Sequence, residues 1–278
     1  MPQPQSAQAY VTLVTNSDYA RGAYALARSL RAVGATAPLL VLLTDDSVDV
    51  SALEALGCPI VPVSVPEVSE AFKIRHARER IHGQDPFTKG KKPTFHAPLK
   101  NFCKLRLWQL TDYRRLVFLD ADSVVLKPID QLFQYPEFSG APNLYESLED
   151  MHRLNSGVFV AEPSSATFDA IMAQLDAPGA YWRRTDQTFL ESFFPDWHGL
   201  PYCFNVLQYV YFNLPQLWRW PSIRVLHYQY EKPWEAEHSK RAQLKPLIDL
   251  WWQIHDTGTI PAEPIEAPRD PSAARPGD

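Results

Sequence analysis

The sequence has few cysteines and no long apolar run. Its three cysteines, Cys58, Cys103 and Cys203, are odd in number and widely spaced, so they form no paired metal-binding motif and are typical of a reducing compartment. Because no stretch of about 18 apolar residues occurs, we expect no membrane span. Residues 1–5 lack the basic and apolar regions of a signal peptide, and a cytoplasmic location is expected.

Positive charge and glycine-rich loops are also scarce. The net charge is −5 and the pI about 5.9, which argues against a general nucleic-acid-binding protein. No Gly-x-Gly-x-x-Gly fingerprint occurs, which disfavours a dinucleotide-binding fold. Hydrophobic residues make up 45% of the chain, enough for a large buried core. A chain of 278 residues accommodates one large α/β domain or two small ones.

The most informative stretch begins with four apolar residues, 116–119, which predict a strand buried on both faces. It leads directly into Asp120-Ala121-Asp122. In an open α/β sheet, ligands bind beyond the carboxyl ends of the strands. Two carboxylates there suit a hard cation such as Mg²⁺ or Mn²⁺, which typically bridges the protein and a phosphorylated substrate. The alternative is an ordinary turn at the end of a strand, where Asp is common.

The residues before this motif predict a β-α-β-α-β opening. The β-branched and apolar runs 10–15, 38–44 and 60–65 read as strands, and Pro59 and Pro62 assign the third to a sheet edge. The segments 19–33 and 51–56 read as helices. Residues 73–100 then carry a concentration of Lys and Arg interrupted by Gly and Pro. This basic segment is either a loop that closes over a phosphate site or a solvated surface insertion.

Two charged side chains, Lys104 and Asp186, also have alternative interpretations. Lys104 lies in a predicted helix, 101–110, that is apolar on most sides, so its ammonium needs an anion or carboxylate nearby unless it reaches the surface. Asp186 opens a predicted helix and serves either as a functional group or as an ordinary N-cap. Gln187, just inside that helix, projects into a site or into water.

A histidine and a lysine follow another predicted strand, 223–226. His227 could complete an Asp/Asp/His set with Asp120 and Asp122, which favours Mn²⁺ because Mn²⁺ accepts nitrogen more readily than Mg²⁺. Lys232 could meet a phosphate as a point charge. The ordinary alternative for a single histidine is a hydrogen-bonded core residue.

Together these motifs resemble glycosyltransferase family 8, in the branch of glycogenin and galactinol synthase. The resemblance runs from about residue 10 to residue 255 and rests on six segments that keep their order: 11–19, 118–122, 155–160, 186–187, 200–205 and 227–234. Residues 250–256 look more like galactinol synthase than glycogenin.

The resemblance implies a single α/β domain over 8–257, with a Rossmann-like glycosyltransferase A-type fold and a mixed, mostly parallel central sheet. The donor-binding half would span about 8–135 and the acceptor half about 136–257, followed by a Pro/Ala/Asp-rich tail, 258–278, expected to be disordered. The implied activity is retaining transfer of glucose or galactose from a UDP-sugar, with Mn²⁺ or alternatively Mg²⁺. The acceptor would be a hydroxyl of a polyol, a glycan or a protein, and a homo-oligomer is compatible with the sequence.

The resemblance also implies roles for individual residues. Those that match uridine-binding positions are Thr15, Asn16 and Tyr19. The metal ligands would be Asp120, Asp122 and His227, with Ala121 contributing to the donor site. Lys232 matches a diphosphate lysine. Groups near the donor sugar and its reacting carbon would be Lys104, Asn155, Asp186 and Gln187. Since no second carboxylate is evident for a covalent intermediate, we hypothesise front-face attack by the acceptor.

Three departures from the family pattern bear on these implications. Phe212 occupies the position of glycogenin's self-glucosylated tyrosine, although Tyr209 and Tyr211 are near. The segment 227–232 lacks the family's usual glycine and is shorter, which bears on the role of Lys232. Arg183 and Arg184 replace an acidic, glycine-rich run and could alter the donor sugar or admit an anionic acceptor.

Two competing functions also remain open. Residues 118–125 also fit the Asp-x-Asp motif of haloacid-dehalogenase-type phosphatases, in which the first Asp is the phosphorylated nucleophile, the second is a general acid, and Mg²⁺ is required. That motif normally closes the first strand of its domain, whereas three predicted strands precede it here. A non-catalytic UDP-sugar-binding protein is the other alternative, which turnover would distinguish from a transferase.

Overall fold

A computed structural model describes residues 7–83 and 93–268, except for the side chains of residues 82 and 83. The strands are β1 (Gln8–Val14), β2 (Leu39–Leu43), β3 (Ile60–Pro62), β4 (Arg115–Leu119), β5 (Ser123–Val125), β6 (Ser139–Pro142), β7 (Leu154–Ala161), β8 (His198–Gly199), β9 (Val206–Leu207) and β10 (Val225–His227). The α-helices are α1 (Ser17–Ala32), α2 (Ser51–Ala55), α3 (Glu70–Arg75), α4 (Arg78–Gly83), α5 (Pro98–Asn101), α6 (Ser165–Leu175), α7 (Asp186–Phe193), α8 (Val210–Asn213) and α9 (Lys245–Thr257).

The central sheet has the strand order β3-β2-β1-β4-β7-β6-β8. Strands β1 to β4 are mutually parallel where they pair, and β8 is parallel to β6. Strand β7 runs antiparallel to both β4 and β6. A smaller sheet has the order β5-β10-β9. The expected α/β fold with a mixed, mostly parallel sheet is confirmed, and β3 occupies an edge as predicted.

Side chains of the central strands alternate between two apolar layers, which is why four consecutive apolar residues precede the Asp-x-Asp motif. In β4, Val117 and Leu119 pack into the layer beneath α1, whereas Leu116 and Phe118 pack into the opposite layer. A third apolar cluster lies between the smaller sheet and α9. The predicted strand buried on both faces is therefore observed.

The topology brings several chain segments to one edge of the central sheet. Strand β4 ends at Leu119, opposite Val158 of the antiparallel β7, so the backbone N–H of Asp120 donates to the carbonyl of Gly157 at 2.8 Å. The beginning of β7 thus lies beside the end of β4. In the smaller sheet, His227 pairs with Ser123, which places the histidine next to Asp122.

Two predicted helices have different boundaries or geometry. Residues 101–110 form the end of α5 and a 3₁₀ helix, Phe102–Gln109, because a segment buried on most sides has no apolar period that could distinguish 3.0 from 3.6 residues per turn. Apolar residues at helical spacing also predict a last helix over 239–255. In the structure this helix begins only at Lys245, with Pro246 in its first turn, where proline is favoured.

The predicted disordered tail is wrong for residues 258–268. Ile260 and Ile265 pack against the cluster between the smaller sheet and α9, and the indole N–H of Trp218 donates to the carbonyl of Ile265 at 2.7 Å. The prediction rested on the average composition of the tail and did not consider these two isoleucines individually. Residues 269–278 lie outside the described part of the chain, and the division into donor and acceptor halves stays a prediction.

Within the described residues, none of the helices combines the length and apolar character needed to cross a bilayer.

Candidate functional site

A cleft of about 1010 Å³, including its open mouth, lies where the ends of β1 and β4 adjoin the beginning of β7. It is lined by nearly all of the predicted site residues: Thr15, Tyr19, Lys104, Asp120, Ala121, Asp122, Asn155, Asp186, Gln187, His227 and Lys232. Asn16 is not part of the lining. Its side chain instead accepts from the backbone N–H of Tyr19 as the N-cap of α1 and donates to the carbonyl of Phe95 at 3.1 Å.

Asp120, Asp122 and His227 form a group that could hold a metal ion. One ligand atom from each lies within 4.8 Å of the others, and His227 Nε2 is 3.2 Å from Asp122 Oδ1. Asp122 and His227 are buried, whereas the Asp120 side chain is 28% exposed toward the cleft. Two carboxylates and an imidazole suit Mn²⁺ or Mg²⁺, and the exposed side leaves room for oxygen atoms of a substrate.

The two aspartates have different electrostatic surroundings. Burial raises the pKa of Asp120, against the opposing charge of Lys104. Burial would also raise the pKa of Asp122, but the charge of Lys232, followed by that of His227, lowers it overall. The ammonium of Lys232 bonds directly to the Asp122 carboxylate and donates to the carbonyl of Tyr228 at 2.9 Å. Lys232 is therefore held at the metal-binding group despite the short segment 227–232.

Lys104 is buried among carboxylates rather than extended to the surface. Its Nζ lies 2.8 Å from Asp186 Oδ2 and 3.1 Å from Asp120 Oδ1, and it donates to the carbonyl of Ser156 at 3.2 Å. Burial alone would lower the pKa of Lys104, but the two carboxylates raise it to about 12. The alternative in which Lys104 reaches solvent is thus excluded by its position, and the lysine connects Asp120 with Asp186.

Asp186 is not the N-cap of α7, because Thr185 occupies that position. Asp186 Oδ2 accepts from Ser156 Oγ at 2.7 Å, and its Oδ1 accepts from Thr185 Oγ1 at 2.9 Å. Thr185 has φ 52° and ψ −127°, a conformation that costs a β-branched residue roughly 1–3 kcal/mol. Asn101 Nδ2 donates to Thr185 Oγ1 at 3.1 Å and helps to hold it.

Two glycines allow backbone and side chains to approach closely around the Asp-x-Asp motif. A Cβ atom on Gly22 of α1 would lie 2.5 Å from the carbonyl oxygen of Ala121. A Cβ atom on Gly157 of β7 would lie 2.4 Å from His227 Cε1 and 2.8 Å from Asn155 Oδ1. Both contacts are too short for a side chain larger than hydrogen.

The described part of the basic segment packs against the site. Lys100 donates to the carbonyl of Thr15 at 3.0 Å, and Arg78 donates to the carbonyl of Pro93 at 3.0 Å. His96 lines the cleft. Residues 84–92, which include Lys89, Lys91 and Lys92, lie outside the described residues, so the loop over a phosphate site stays a prediction there.

The sequence did not indicate several lining residues. These are Leu13, Ile81, His96, Asn101, Asn143, Tyr145, Ser156, Thr185, Gln229 and Tyr230. Ser156 and Gln229 lay inside segments already recognised, so their positions beside Asn155 and His227 were a usable signal. Asn143 follows a short strand, Ser-Gly-Ala-Pro, that has no β-propensity pattern, and its place in the cleft depends on pairing with β7.

Similarity to solved structures defines the fold. The glycosyltransferase GlyE from Streptococcus pneumoniae TIGR4 has a TM-score of 0.62 at 16% identity, over 97% of this chain and 62% of that chain. The galactosyltransferase LgtC, solved with donor and acceptor sugar analogs, has a TM-score of 0.53 at 15% identity, over 87% of this chain and 95% of that chain. The fold is the glycosyltransferase A type, as the resemblance implied.

Sequence comparison then gives the family. The model of glycosyl transferase family 8 matches residues 10–138. Glycogenin-1 from Homo sapiens is 31% identical over 91% of this chain and 73% of its own length. UDP-glucuronate:xylan alpha-glucuronosyltransferase 2 from Arabidopsis thaliana is 32% identical over 90% of this chain. The chain belongs to glycosyl transferase family 8, and it spans 37–42% of the length of the five xylan glucuronosyltransferases that it matches.

Proposed function

We propose that this chain is a retaining, Mn²⁺-dependent glycosyltransferase that moves a hexose from a UDP-sugar to a hydroxyl acceptor. The observation that carries the proposal is the convergence of Asp120, Asp122 and His227 with two buried lysines, Lys104 and Lys232, in one cleft. A departing UDP develops negative charge, and preorganised cations stabilise such charge most strongly where water is excluded. A divalent cation held by the three ligands would supply further charge stabilisation at the diphosphate.

The predicted residues then have separate tasks. Thr15 and Tyr19, at the end of β1 and the start of α1, would hold the uridine, whereas the prediction for Asn16 lacks support from a position in the lining. Lys232 would exchange its bond to Asp122 for a contact with the diphosphate. Gln187 is buried in the lining beside Asp186, near the expected position of the donor sugar.

The surroundings of Asp186 favour front-face attack over a covalent intermediate. Lys104, Ser156 and Thr185 already engage both of its carboxylate oxygens. A carboxylate whose oxygens already accept such bonds is a weaker nucleophile, because these bonds stabilise its negative charge. The acceptor hydroxyl would instead attack from the side of the leaving phosphate. A trapped glycosyl adduct on Asp186 would overturn this route.

Two donor classes are supported by different observations. UDP-glucose and UDP-galactose follow from the resemblance to glycogenin and galactinol synthase. UDP-glucuronate is the second candidate, because Arg183 and Arg184 line the cleft beside Asp186 and the xylan glucuronosyltransferases are similar to this chain. Guanidinium groups bind carboxylates in bidentate geometry, which a neutral hexose does not require.

The acceptor would be an external hydroxyl rather than a tyrosine of this chain. Phe212 has no hydroxyl, the Tyr209 hydroxyl donates to the buried Glu231 carboxylate, and Tyr211 is 5% exposed. Neither tyrosine lines the cleft. A cytoplasmic location is also proposed, on the support of three unpaired cysteines.

The test is UDP release from UDP-glucose, UDP-galactose and UDP-glucuronate without acceptor, with Mn²⁺ or EDTA. We expect slow, Mn²⁺-dependent hydrolysis of one donor, reduced on the order of 10²–10³-fold in Asp122→Asn, since a group that stabilises the leaving charge is lost. The exposed Asp112→Asn is the matched control, with unchanged release.

The other outcomes separate the alternatives. UDP-sugar binding without turnover, even with a panel of acceptors, would identify a non-catalytic binding protein. Absence of both binding and release would remove the transferase proposal. Membership of glycosyl transferase family 8 argues against the phosphatase alternative, and the Asp-x-Asp motif follows β4 rather than the first strand.

A further inference from the structure

A row of side-chain amides connects His227 of the candidate metal site with Asn143 and Gln229, which also line the cleft. His227 Nδ1 is 3.0 Å from Asn205 Oδ1, and Asn205 Nδ2 is 2.8 Å from Asn155 Oδ1. Asn155 Nδ2 in turn is 2.8 Å from Asn143 Oδ1 and 3.3 Å from Gln229 Oε1. His227 and the three asparagines are each at most 2% exposed.

The direction of this row follows from one backbone group. Side-chain amides can be turned by 180° with little change in shape, so their orientation must be argued from their partners. The N–H of Gly157 can only donate, and it lies 2.9 Å from the side chain of Asn155. The atom of Asn155 that faces Gly157 must therefore be its oxygen.

Toward His227, this orientation fixes each following atom. Because Asn155 presents its oxygen, Asn205 must present its NH₂ group to it and its own oxygen to His227. An amide oxygen accepts only, so His227 Nδ1 must carry a proton. The Nε2 atom, which lies 3.2 Å from Asp122 Oδ1, is then the nitrogen left to bind a metal ion.

On the other side of Asn155, the same orientation places its NH₂ group, and not its oxygen, toward the neighbouring amides. The NH₂ group of Asn155 donates to the oxygens of Asn143 and Gln229. The NH₂ groups of these two residues are therefore turned away from Asn155, and both residues line the cleft. Among the described residues, no acceptor bonds to either NH₂ group, so both remain available to a ligand.

Asn155 itself has no capacity left for a ligand. An amide side chain offers two acceptor and two donor positions. The oxygen of Asn155 accepts from Gly157 and Asn205, and its nitrogen donates to Asn143 and Gln229. A direct bond from Asn155 to a donor sugar would require breaking one of these four.

We propose that the Gly157 N–H sets the direction of an amide relay that holds a proton on His227 Nδ1 and presents the NH₂ groups of Asn143 and Gln229 to sugar oxygens. In this relay, Asn205 is a positioning residue for the metal ligand, and Asn155 is a positioning residue for both ends. The sugar-binding end rests on the proposed function. The tautomer of His227 is independent of the proposed function.

The first test measures that tautomer in the wild-type protein without metal. Nitrogen-15 NMR of the histidine rings should find a proton on His227 Nδ1 at pH 8.5, where neutral imidazole dominates in ordinary histidines. A neutral ring that is protonated only on Nε2 would overturn the relay. This result depends on neither a nucleotide nor a variant, so it stands apart from the proposed function.

The second test measures Mn²⁺ affinity from the electron paramagnetic resonance signal of free Mn²⁺. Asn205→Leu removes the acceptor for His227 Nδ1 and should weaken Mn²⁺ binding by about 10–100-fold, the typical effect of losing such a partner. Asn205→Asp retains an acceptor and should bind Mn²⁺ within a few-fold of wild type. Equal affinities in all three proteins, or no binding in the wild type, would overturn the positioning role of Asn205.

The third test separates the two ends of the relay. In Asn155→Asp, the carboxylate still accepts from Gly157 and Asn205, so Mn²⁺ affinity should persist. It cannot donate, so Asn143 and Gln229 would turn their NH₂ groups toward it and away from the cleft. UDP-hexose affinity should fall roughly tenfold relative to UDP affinity, since hydrogen bonds to the sugar alone are lost.

An unchanged ratio of UDP-hexose to UDP affinity in Asn155→Asp would overturn the sugar-binding end. Asn213→Leu is the control for loss of an asparagine outside the cleft, where the side chain donates to the carbonyl of Tyr145. It should change neither the Mn²⁺ affinity nor the nucleotide ratio. A similar loss of both in this control would assign the effects to general destabilisation and overturn the proposal.

Discussion

Gly157 makes room for the histidine of the candidate metal site. Its backbone conformation needs no glycine, but a Cβ atom there would lie within 2.8 Å of both His227 and Asn155. Both neighbours are buried and hydrogen-bonded, so neither can move without losing partners. The requirement is therefore one of space at a single residue.

Gly157→Ala should displace His227 and weaken Mn²⁺ binding by at least about tenfold. Overpacking at such a site should also lower the free energy of unfolding by about 1–3 kcal/mol. Isothermal titration with Mn²⁺ and urea denaturation would measure the two effects. Gly199→Ala is the matched control, because a Cβ atom there meets nothing within 4 Å. Wild-type Mn²⁺ affinity in Gly157→Ala would contradict the steric argument.

Individual site residues were predictable to the extent that they occupy short motifs. Asp120 and Asp122 follow an apolar strand, and His227 ends another, so strand termini alone indicated a common edge. Asn143 carries no comparable signal. Asn205 ends the recognised segment 200–205, but its contact with Asn155 joins two separate segments of the chain. Hydrogen bonds that join residues 12 or 50 positions apart, as in these two pairs, are not encoded in local spacing.

At the scale of elements, helix α3 supports the segment that leads to Asp186. His76, at the end of α3, is buried and accepts from the backbone N–H of Trp182 through Nε2 at 2.9 Å. Its Nδ1 donates to the carbonyl of Phe72 at 2.9 Å. Arg75 donates to the carbonyl of Ala180 at 2.9 Å. The basic segment therefore begins as a structural support rather than as a solvated insertion.

The contact between His76 and the backbone of Trp182 should weaken at acidic pH. Burial lowers the pKa of His76, with Arg75 adding to the effect and Asp176 opposing it. The unfolded chain therefore binds a proton that the folded chain excludes, and stability is lost as the pH falls below about 6.5. Protonation of Nε2 would also leave the Trp182 N–H without its acceptor.

Between pH 7.5 and 5.5, the wild type should lose more unfolding free energy in urea than His76→Gln, whose amide oxygen can accept from Trp182 but does not titrate. Because the other titrating groups are the same in both proteins, the difference isolates His76. Parallel losses in the two proteins would show that His76 does not titrate in this range.

Elements with a clear period were predictable, and those that depend on neighbours were not. Strand β4 and helix α1 follow from apolar runs and helical spacing. Strand β6 consists of Ser-Gly-Ala-Pro and exists because β7 and β8 pair with it on both sides. The 3₁₀ helix at 102–109 has the same apolar content as a buried α-helix, so its geometry is set by packing.

At the scale of the whole molecule, the cleft joins the central sheet to the smaller sheet. Asp120 follows β4 and Asn155 lies in β7, both strands of the central sheet, whereas His227 is the last residue of β10 in the smaller sheet. A ligand that contacts both should stabilise the folded chain as a unit. The family and the A-type fold were predictable because the ordered motifs extend along most of the chain, whereas the packing of Ile260 and Ile265 was not.

Mn²⁺ and UDP, each at about 100 times its dissociation constant, should each add about 2.7 kcal/mol of stability, so together they should add about 5 kcal/mol and raise Tm by roughly 10–20 °C. Differential scanning fluorimetry would measure the shift, and EDTA should reverse the part that depends on Mn²⁺. Asp122→Asn should show a much smaller response. An equal shift in this variant would place the binding of Mn²⁺ elsewhere.

The group that orients the hydrogen bonds of the site, the N–H of Gly157, belongs to the backbone and not to a side chain. A peptide N–H is present at position 157 whatever codon stands there, unless the codon specifies proline. The orientation of the surrounding amides therefore depends on the backbone at position 157 and not on its side chain. The lack of space for a Cβ atom is what restricts this position to glycine. A gene comparison would therefore find glycine required at position 157 for reasons of space, although the group that orients Asn155 is the backbone N–H of that residue.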